Sequence, residues 1–203
     1  MKLAYSPTSP YVRKVMVVLH ETGQLDDVTL VETATTPLDP ATQLVSQNPI
    51  GKVPTLERPD GPALFDSRVI CAYLDDRAQA DLYRSGARHW EIRTLEAAAD
   101  GILDAALLMV YESRMRPEGE RSPAWIEAQW TKVARGIETI NARWMSHLSG
   151  PLDMGQIAVG CALGYVDLRH DDRGWRQGND ALARWFESFD SRPSMQATVP
   201  PKA

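Results

Sequence analysis

The sequence predicts two parts of different fold class: an α/β module over residues 1–77 and an all-helical module over 87–203, joined by a polar linker at 78–86. Three observations carry this reading. Strand and helix signals alternate as far as residue 77, strand signals then stop, and apolar stripes repeating every three or four residues fill the remainder of the chain.

Lys2 to Tyr5 is a short strand candidate. Between Tyr11 and Leu19 the apolar residues 11, 12, 15, 16, 18 and 19 keep helical spacing, and Gly23 supplies a stop. Ser9 is a natural N-cap and Pro10 a natural first helical residue, its missing N–H costing nothing there. Residues 27–32, DVTLVE, read as a second strand, and a Thr/Pro-rich loop extends from there to about Asn48. Val53 to Glu57 and Ala63 to Phe65 read as strands flanking the turn RPDG at 58–61. Ser67 then caps a helix with Val69, Ile70, Tyr73 and Leu74 on one side. The order is β-α-β, a long connection, then β-β-α.

In the second part, Trp90 to about Arg114 is a long helix striped by Leu95, Ala99, Ile102, Ala106 and Val110. Ser122 and Pro123 open the next helix, in which Ile126, Trp130, Val133, Ile137, Ile140 and Trp144 step by three or four, and Gly150 closes it. Asp153 begins a third helix with Gln156 as its capping-box partner. Leu182, Trp185, Phe186 and Phe189 form a fourth stripe. The six tryptophans are expected to pack in the core.

Composition narrows the function. With 43% apolar and 24% charged residues the chain is that of an ordinary globular protein. A net charge of −5 without a basic stripe argues against nucleic acid as a partner. No run approaches membrane-spanning length, and the MKLAYSPTSP start meets a turn before any signal-peptide core forms, so no membrane partner and a cytoplasmic location are expected. Cys71 and Cys161 fall inside apolar helical patterns without a CxxC neighbour and are expected to be buried free thiols. Asp167, His170, Asp171 and Asp172 match no metal-binding spacing and read as a solvated loop, so no metal is expected. Neither a phosphate-binding glycine loop nor a hydrolase or zinc-protease motif occurs.

Three short stretches carry chemistry beyond their structural reading. A helix N-terminus bears about half a positive charge and unpaired N–H groups, so the Ser9 hydroxyl, with Arg13 and Lys14 one turn on, is placed to hold a thiolate as well as to cap. In NPIGKVPTL, 48–56, a cis Val53–Pro54 bond would turn the Val53 backbone outward to pair with an extended peptide; a trans proline in a turn is the plainer alternative. In FDS, 65–67, Asp66 and Ser67 offer opposite partners for the two ends of an amino-acid zwitterion, or simply a helix cap.

These three stretches together, TSPYVRK (8–14), NPIGKVPTL and FDS, resemble the cytosolic glutathione S-transferases. The likeness continues through ADGILDAAL (99–107) and Gly160 to Arg169, and the ending Thr198 to Ala203 looks like that of the bacterial YibF-type branch. The resemblance implies a thioredoxin-like N-terminal domain, an all-helical C-terminal domain, glutathione as co-substrate and a homodimer. It makes Ser9 the thiolate stabiliser, with Thr8 and Tyr5 as rivals, and pairs Val53, beside a cis Pro54, with the cysteinyl backbone. Asp66 and Ser67 would hold the γ-glutamyl group and Lys52 a carboxylate. Leu103, Leu107, Tyr111 and Tyr165 become candidates for a pocket between the domains that takes a small electrophile. Ser at position 9, where redox-active relatives carry Cys, weighs toward conjugation. A glutathione-dependent reductase, dehalogenase or isomerase and a non-catalytic glutathione carrier are the alternatives.

Overall fold

The computed structural model describes residues 1–201; Lys202 and Ala203, the end of the closing motif, lie outside the described residues. The chain divides into two compact units, Met1–Tyr83 together with the segment from Pro193 on, and Arg84–Arg192.

The first unit is built on a four-stranded sheet in the order β2-β1-β3-β4. Strand β1 (Lys2–Tyr5) leads into helix α1 (Pro10–Glu21), which returns the chain to β2 (Thr29–Glu32), parallel to β1. A parallel pair needs such a crossover, whereas β3 (Thr55–Arg58) and β4 (Gly61–Leu64), antiparallel to each other, need only a tight turn. Strand β1 runs antiparallel to β3, with Ala4 opposite Thr55. Helix α3 (Ser67–Ala78) packs against α1. Leu3, Val15, Val18, Leu19, Leu56, Ile70 and Leu74 have no exposed surface and form the core of this unit.

Several expectations change here. The loop expected up to Asn48 contains a helix, α2 (Thr42–Gln47), which buries only Leu44 and so leaves no periodicity to read. The strand expected from Val53 begins at Thr55, because Pro54 has no N–H for the ladder. The strand expected over 63–65 is Gly61–Leu64, and residues 25–27 form a 3-10 turn before β2. Arg13 is buried and spent on the end of the chain, donating from Nη2 to the Met195 carbonyl at 3.1 Å. The Ser194 hydroxyl donates to Glu21, so the short closing helix (Pro193–Ala197) belongs to this unit, not to the helical one.

The second unit holds α4 (Ala87–Met115), α5 (Pro123–Arg143), α6 (Met145–Leu148), α7 (Met154–His170) and α8 (Asp180–Asp190). Helix α7 is buried along nearly its whole length and packs against α4. Their approach is close enough that a Cβ on Gly155 would lie 3.0 Å from the Leu95 Cβ. Leu95, Ala99, Ala106, Ile137 and Ile140 are essentially fully buried, as the stripes predict, and so are Ile92, Ile157 and Cys161, whereas Val110, Ile126, Trp130 and Trp144 of the same stripes are half-buried.

Ser122 and Asp153 cap α5 and α7 as expected, each accepting from the amide three residues on. The capping box is only half made: Gln156 Nε2 turns to the carbonyls of Leu148, Gly150 and Pro151 and ties down the end of α6. The tryptophans are less buried than expected. Trp175 is 4% exposed but Trp90 is 71% and Trp125 45% exposed.

Both cysteines are buried and neither is in a disulfide. Asp167 accepts from the Trp175 indole at 2.6 Å and from the Arg176 guanidinium, so it is a structural partner and not a loop acid. Among the described residues no group of His, Cys, Asp and Glu is arranged to hold a metal, and no helix is long and apolar enough to cross a membrane.

His170, expected in a solvated loop, is buried at the end of α7, its Nε2 3.0 Å from the Ala106 carbonyl. Burial pushes its imidazole below the ordinary 6.5 despite that bond and the nearby Asp172. A depressed folded-state value means that the stability it contributes is present above the unfolded value and lost as pH falls through the folded one. The melting temperature is therefore expected to drop between about pH 7.5 and about pH 5. The drop should be smaller in His170→Gln, as monitored by circular dichroism.

Candidate functional site

The sheet register gathers the three chemistry-bearing turns. Strand β1 ends where β3 begins, and β4 ends beside the same start of β3. The turns at 6–9, 52–54 and 65–67 therefore lie at one end of the sheet, and α1 and α3 both start there. Two helix N-termini at one place favour an anion.

In the first turn, Ser9 has an extended backbone and its hydroxyl oxygen accepts from the Val12 amide at 3.3 Å, with Pro10 next. The cap uses the hydroxyl only as an acceptor. Among the described residues nothing receives its hydrogen, which remains available for donation. Tyr5 stands at the end of β1, and Thr8 is half-buried beside Ser9 but does not cap the helix.

The second turn is braced by Asn48, a residue that sequence reasoning passed over as part of a loop. Buried to 2% exposure, it donates from Nδ2 to the Lys52 carbonyl at 2.9 Å and to the Thr55 hydroxyl at 3.1 Å. Its Oδ1 accepts from the Ile50 amide at 3.0 Å. Gly51 holds φ +67°, and a Cβ there would meet the Pro40 Cβ at 3.0 Å. The Val53–Pro54 bond is cis. Among the described residues neither the amide nor the carbonyl of Val53 has a hydrogen-bond partner. Lys52 contributes its carbonyl to the brace and leaves its side chain exposed.

The third turn corrects one expectation. Asp66, not Ser67, is the N-cap of α3, and Ser67 is its first residue. Asp66 Oδ1 accepts from the Arg68 amide and Oδ2 from the Arg68 guanidinium, both at 3.0 Å. Burial pushes the Asp66 carboxyl up, but the hydrogen bonds and charge of Arg68, helped by the charge of Lys14, hold it below its ordinary value. It is an anion at neutral pH. Ser67 is 2% exposed, and among the described residues its amide and hydroxyl have no partner. The Phe65–Asp66 bond is also cis.

In the helical unit, Leu103, Leu107 and Tyr111 succeed one another every four residues along α4. Leu103 has no exposed surface, whereas Leu107 and Tyr111 are half-buried. Tyr165 on α7 is 4% exposed, and burial pushes its hydroxyl up to about 12.

A thioredoxin-like sheet with a hydroxyl-capped helix start, a cis-proline turn and an acidic-serine turn at one end, continued by an all-helical unit, defines the glutathione S-transferase class. Comparison with known proteins agrees. The glutathione S-transferase N-terminal domain family matches residues 8–77, and the C-terminal domain family matches residues 123–188. The uncharacterized GST-like protein YibF of Escherichia coli K12 is 33% identical over 100% of both chains. A glutathione transferase family member from Pseudomonas fluorescens Pf-5, solved with bound glutathione, is 43% identical with a TM-score of 0.96 over 98% of each chain. A glutathione S-transferase from Methylobacillus flagellatus KT, also with glutathione bound, is 38% identical with a TM-score of 0.85 over 98% of this chain and 99% of that one. The chain belongs to the glutathione S-transferase family.

Replacing Asn48 with Ala removes three hydrogen bonds of a buried side chain, and a cost of about 2 kcal/mol is expected. Asn48→Asp keeps the acceptor and loses both Nδ2 donations, so it should cost nearly as much. Urea unfolding midpoints at constant slope check this.

Proposed function

We propose that the protein is a glutathione transferase that joins the glutathione sulfur to small electrophiles. The observation that carries this is the Ser9 hydroxyl: it caps α1 as an acceptor and keeps its hydrogen for a ligand, at the sheet end where, among the described residues, the Val53 amide and carbonyl are unpaired. In this reading the Val53 backbone pairs with the cysteinyl residue as with an added strand. Ser67 donates to the γ-glutamyl carboxylate, and Asp66, kept ionised, receives the ammonium. Lys52 is assigned to a glutathione carboxylate at the exposed rim.

The cysteinyl sulfur then lies against the Ser9 hydroxyl. The thiol proton passes to solvent, the thiolate attacks an electrophilic carbon, a sulfur–carbon bond forms, and the leaving group departs with its electron pair. Ser9 stabilises the anion and transfers no proton. We assign the electrophile to the helical unit, where Leu107, Tyr111 and Tyr165 are the candidate contacts.

Two observations support conjugation over a protein-thiol mechanism. No cysteine stands at the start of α1, and Cys71 and Cys161 have no exposed surface. The Pseudomonas fluorescens relative was also solved with S-(propanoic acid)-glutathione, a thioether of glutathione, at 42% identity and a TM-score of 0.91. A cytoplasmic homodimer belongs to the same reading.

Ser9→Ala is expected to raise the pKa of bound glutathione by about one unit or more, since a hydrogen bond to a charged partner is worth about 1.5–3 kcal/mol and one unit about 1.4 kcal/mol. Turnover should fall while glutathione affinity stays nearly level. Thiolate absorbance titrated in both proteins reads this directly, and identical curves would remove Ser9 from the role. Loss of the cap will lower stability by about 1 kcal/mol and is measured separately. Asp66→Ala should show the opposite pattern, with affinity lost at least tenfold in equilibrium titration and the thiol pKa of the remaining complex unchanged. A panel of aryl halides, epoxides and mixed disulfides separates conjugation from reduction, and silence across all of them favours a carrier.

A further inference from the structure

The helical unit carries a group of cations that no acid among the described residues answers. Tyr111 and Arg114 are three residues apart on α4, and Tyr165 and Arg169 four apart on α7, so each pair shares a face of its helix. The two helices pack against each other. The Arg169 guanidinium stands beside the Tyr165 hydroxyl, with Tyr111 and Arg114 within electrostatic reach of it. Arg169 Nε is buried and, among the described residues, has no hydrogen-bond partner.

Three acids of α4, α5 and α7 are committed elsewhere. Glu112 pairs with Arg116 and accepts the Ser122 amide, Asp167 holds Arg176 and Trp175, and Glu127 holds Arg173. Among the described residues no carboxylate pairs with Arg114 or Arg169. A pocket meant for neutral aromatic electrophiles gains nothing from two arginines there, and a buried N–H without an acceptor is costly.

We propose that Tyr111, Arg114, Tyr165 and Arg169 form a carboxylate-recognising subsite for the electrophile, so that the substrates are small organic acids bearing a reactive carbon. The guanidinium groups receive the carboxylate through charge-assisted hydrogen bonds, with Arg169 Nε supplying a donor that the protein leaves unused. Tyr165, kept protonated by its burial, adds a neutral O–H donor. This assignment deepens the transferase reading and rests on it, but the subsite can be tested without glutathione.

Isothermal titration of the whole protein compares phenylpropanoate with phenylpropanamide. The acid is expected to bind about tenfold more tightly. Arg169→Met and Arg114→Gln should each reduce that preference about threefold or more while leaving the affinity for glutathione unchanged. Equal binding of acid and amide by the unaltered protein overturns the proposal, as does a preference that survives both substitutions in variants with unshifted melting. If Arg169→Met fails to fold, the more exposed Arg114→Gln decides. Failure of glutathione itself to bind sinks the transferase reading, and the phenylpropanoate pair still decides the subsite.

Discussion

The antiparallel pairing of β1 with β3 is the constraint on which the rest depends. It sets Ala4 opposite Thr55, and through that register it brings the end of the first strand to the start of the third. A slip of one residue would turn Leu3 and Leu56, both without exposed surface, to the wrong face. The core therefore locks the register, and the register locks the distance between the Ser9 turn and the Val53 turn. The site inherits its rigidity from burial elsewhere and not from bonds among its own members, since Ser9, Val53 and Ser67 share none.

The turns themselves are held by side chains that do no chemistry in the proposed reading. Asn48 and Gly51 shape the second turn from below, and Arg68 holds Asp66 in place and charged. This division lets the ligand-facing groups stay unsatisfied. An unpaired backbone amide and carbonyl are tolerable where water can reach them, and Val53 is a half-buried residue rather than a core one. The helical unit obeys the opposite rule, with α7 buried nearly all round and small residues such as Gly155 bringing it tight against α4.

How much of this was legible in the sequence depends on which signals are local. Caps are local: Ser9, Ser122 and Asp153 were readable because a hydroxyl or carboxylate before a proline or an apolar run has few other uses. Stripes are local too, and Leu95, Ile137 and Ile140 are buried where spacing put them. The features that escaped reading rest on distant partners. Helix α2 buries one residue, so it has no stripe. Arg13 reads as a cation reinforcing the helix end, whereas the chain end, more than 180 residues away, supplies its acceptors. The tryptophan expectation failed because Trp90 and Trp125 lie off the apolar stripes, and both are exposed. Asp66 and Ser67 are adjacent and both able to cap, so only the backbone geometry chooses between them.

The energetics of the proposed thiolate explain why the surroundings of Ser9 count alongside the hydroxyl. Holding a thiol half-ionised two units below its ordinary value of about 8.5 takes about 2.7 kcal/mol of selective anion stabilisation. One hydroxyl hydrogen bond to an anion supplies about 1.5–3 kcal/mol, less where water competes. The start of α1 adds about 0.3–1 kcal/mol, and the start of α3 lies at the same end of the sheet. Lys14, buried one turn into α1, adds the smallest share to holding Asp66 ionised, after Arg68. Exchanging the hydroxyl for another small donor then alters one contributor among several, whereas shifting the register of β1 against β3 would separate them all.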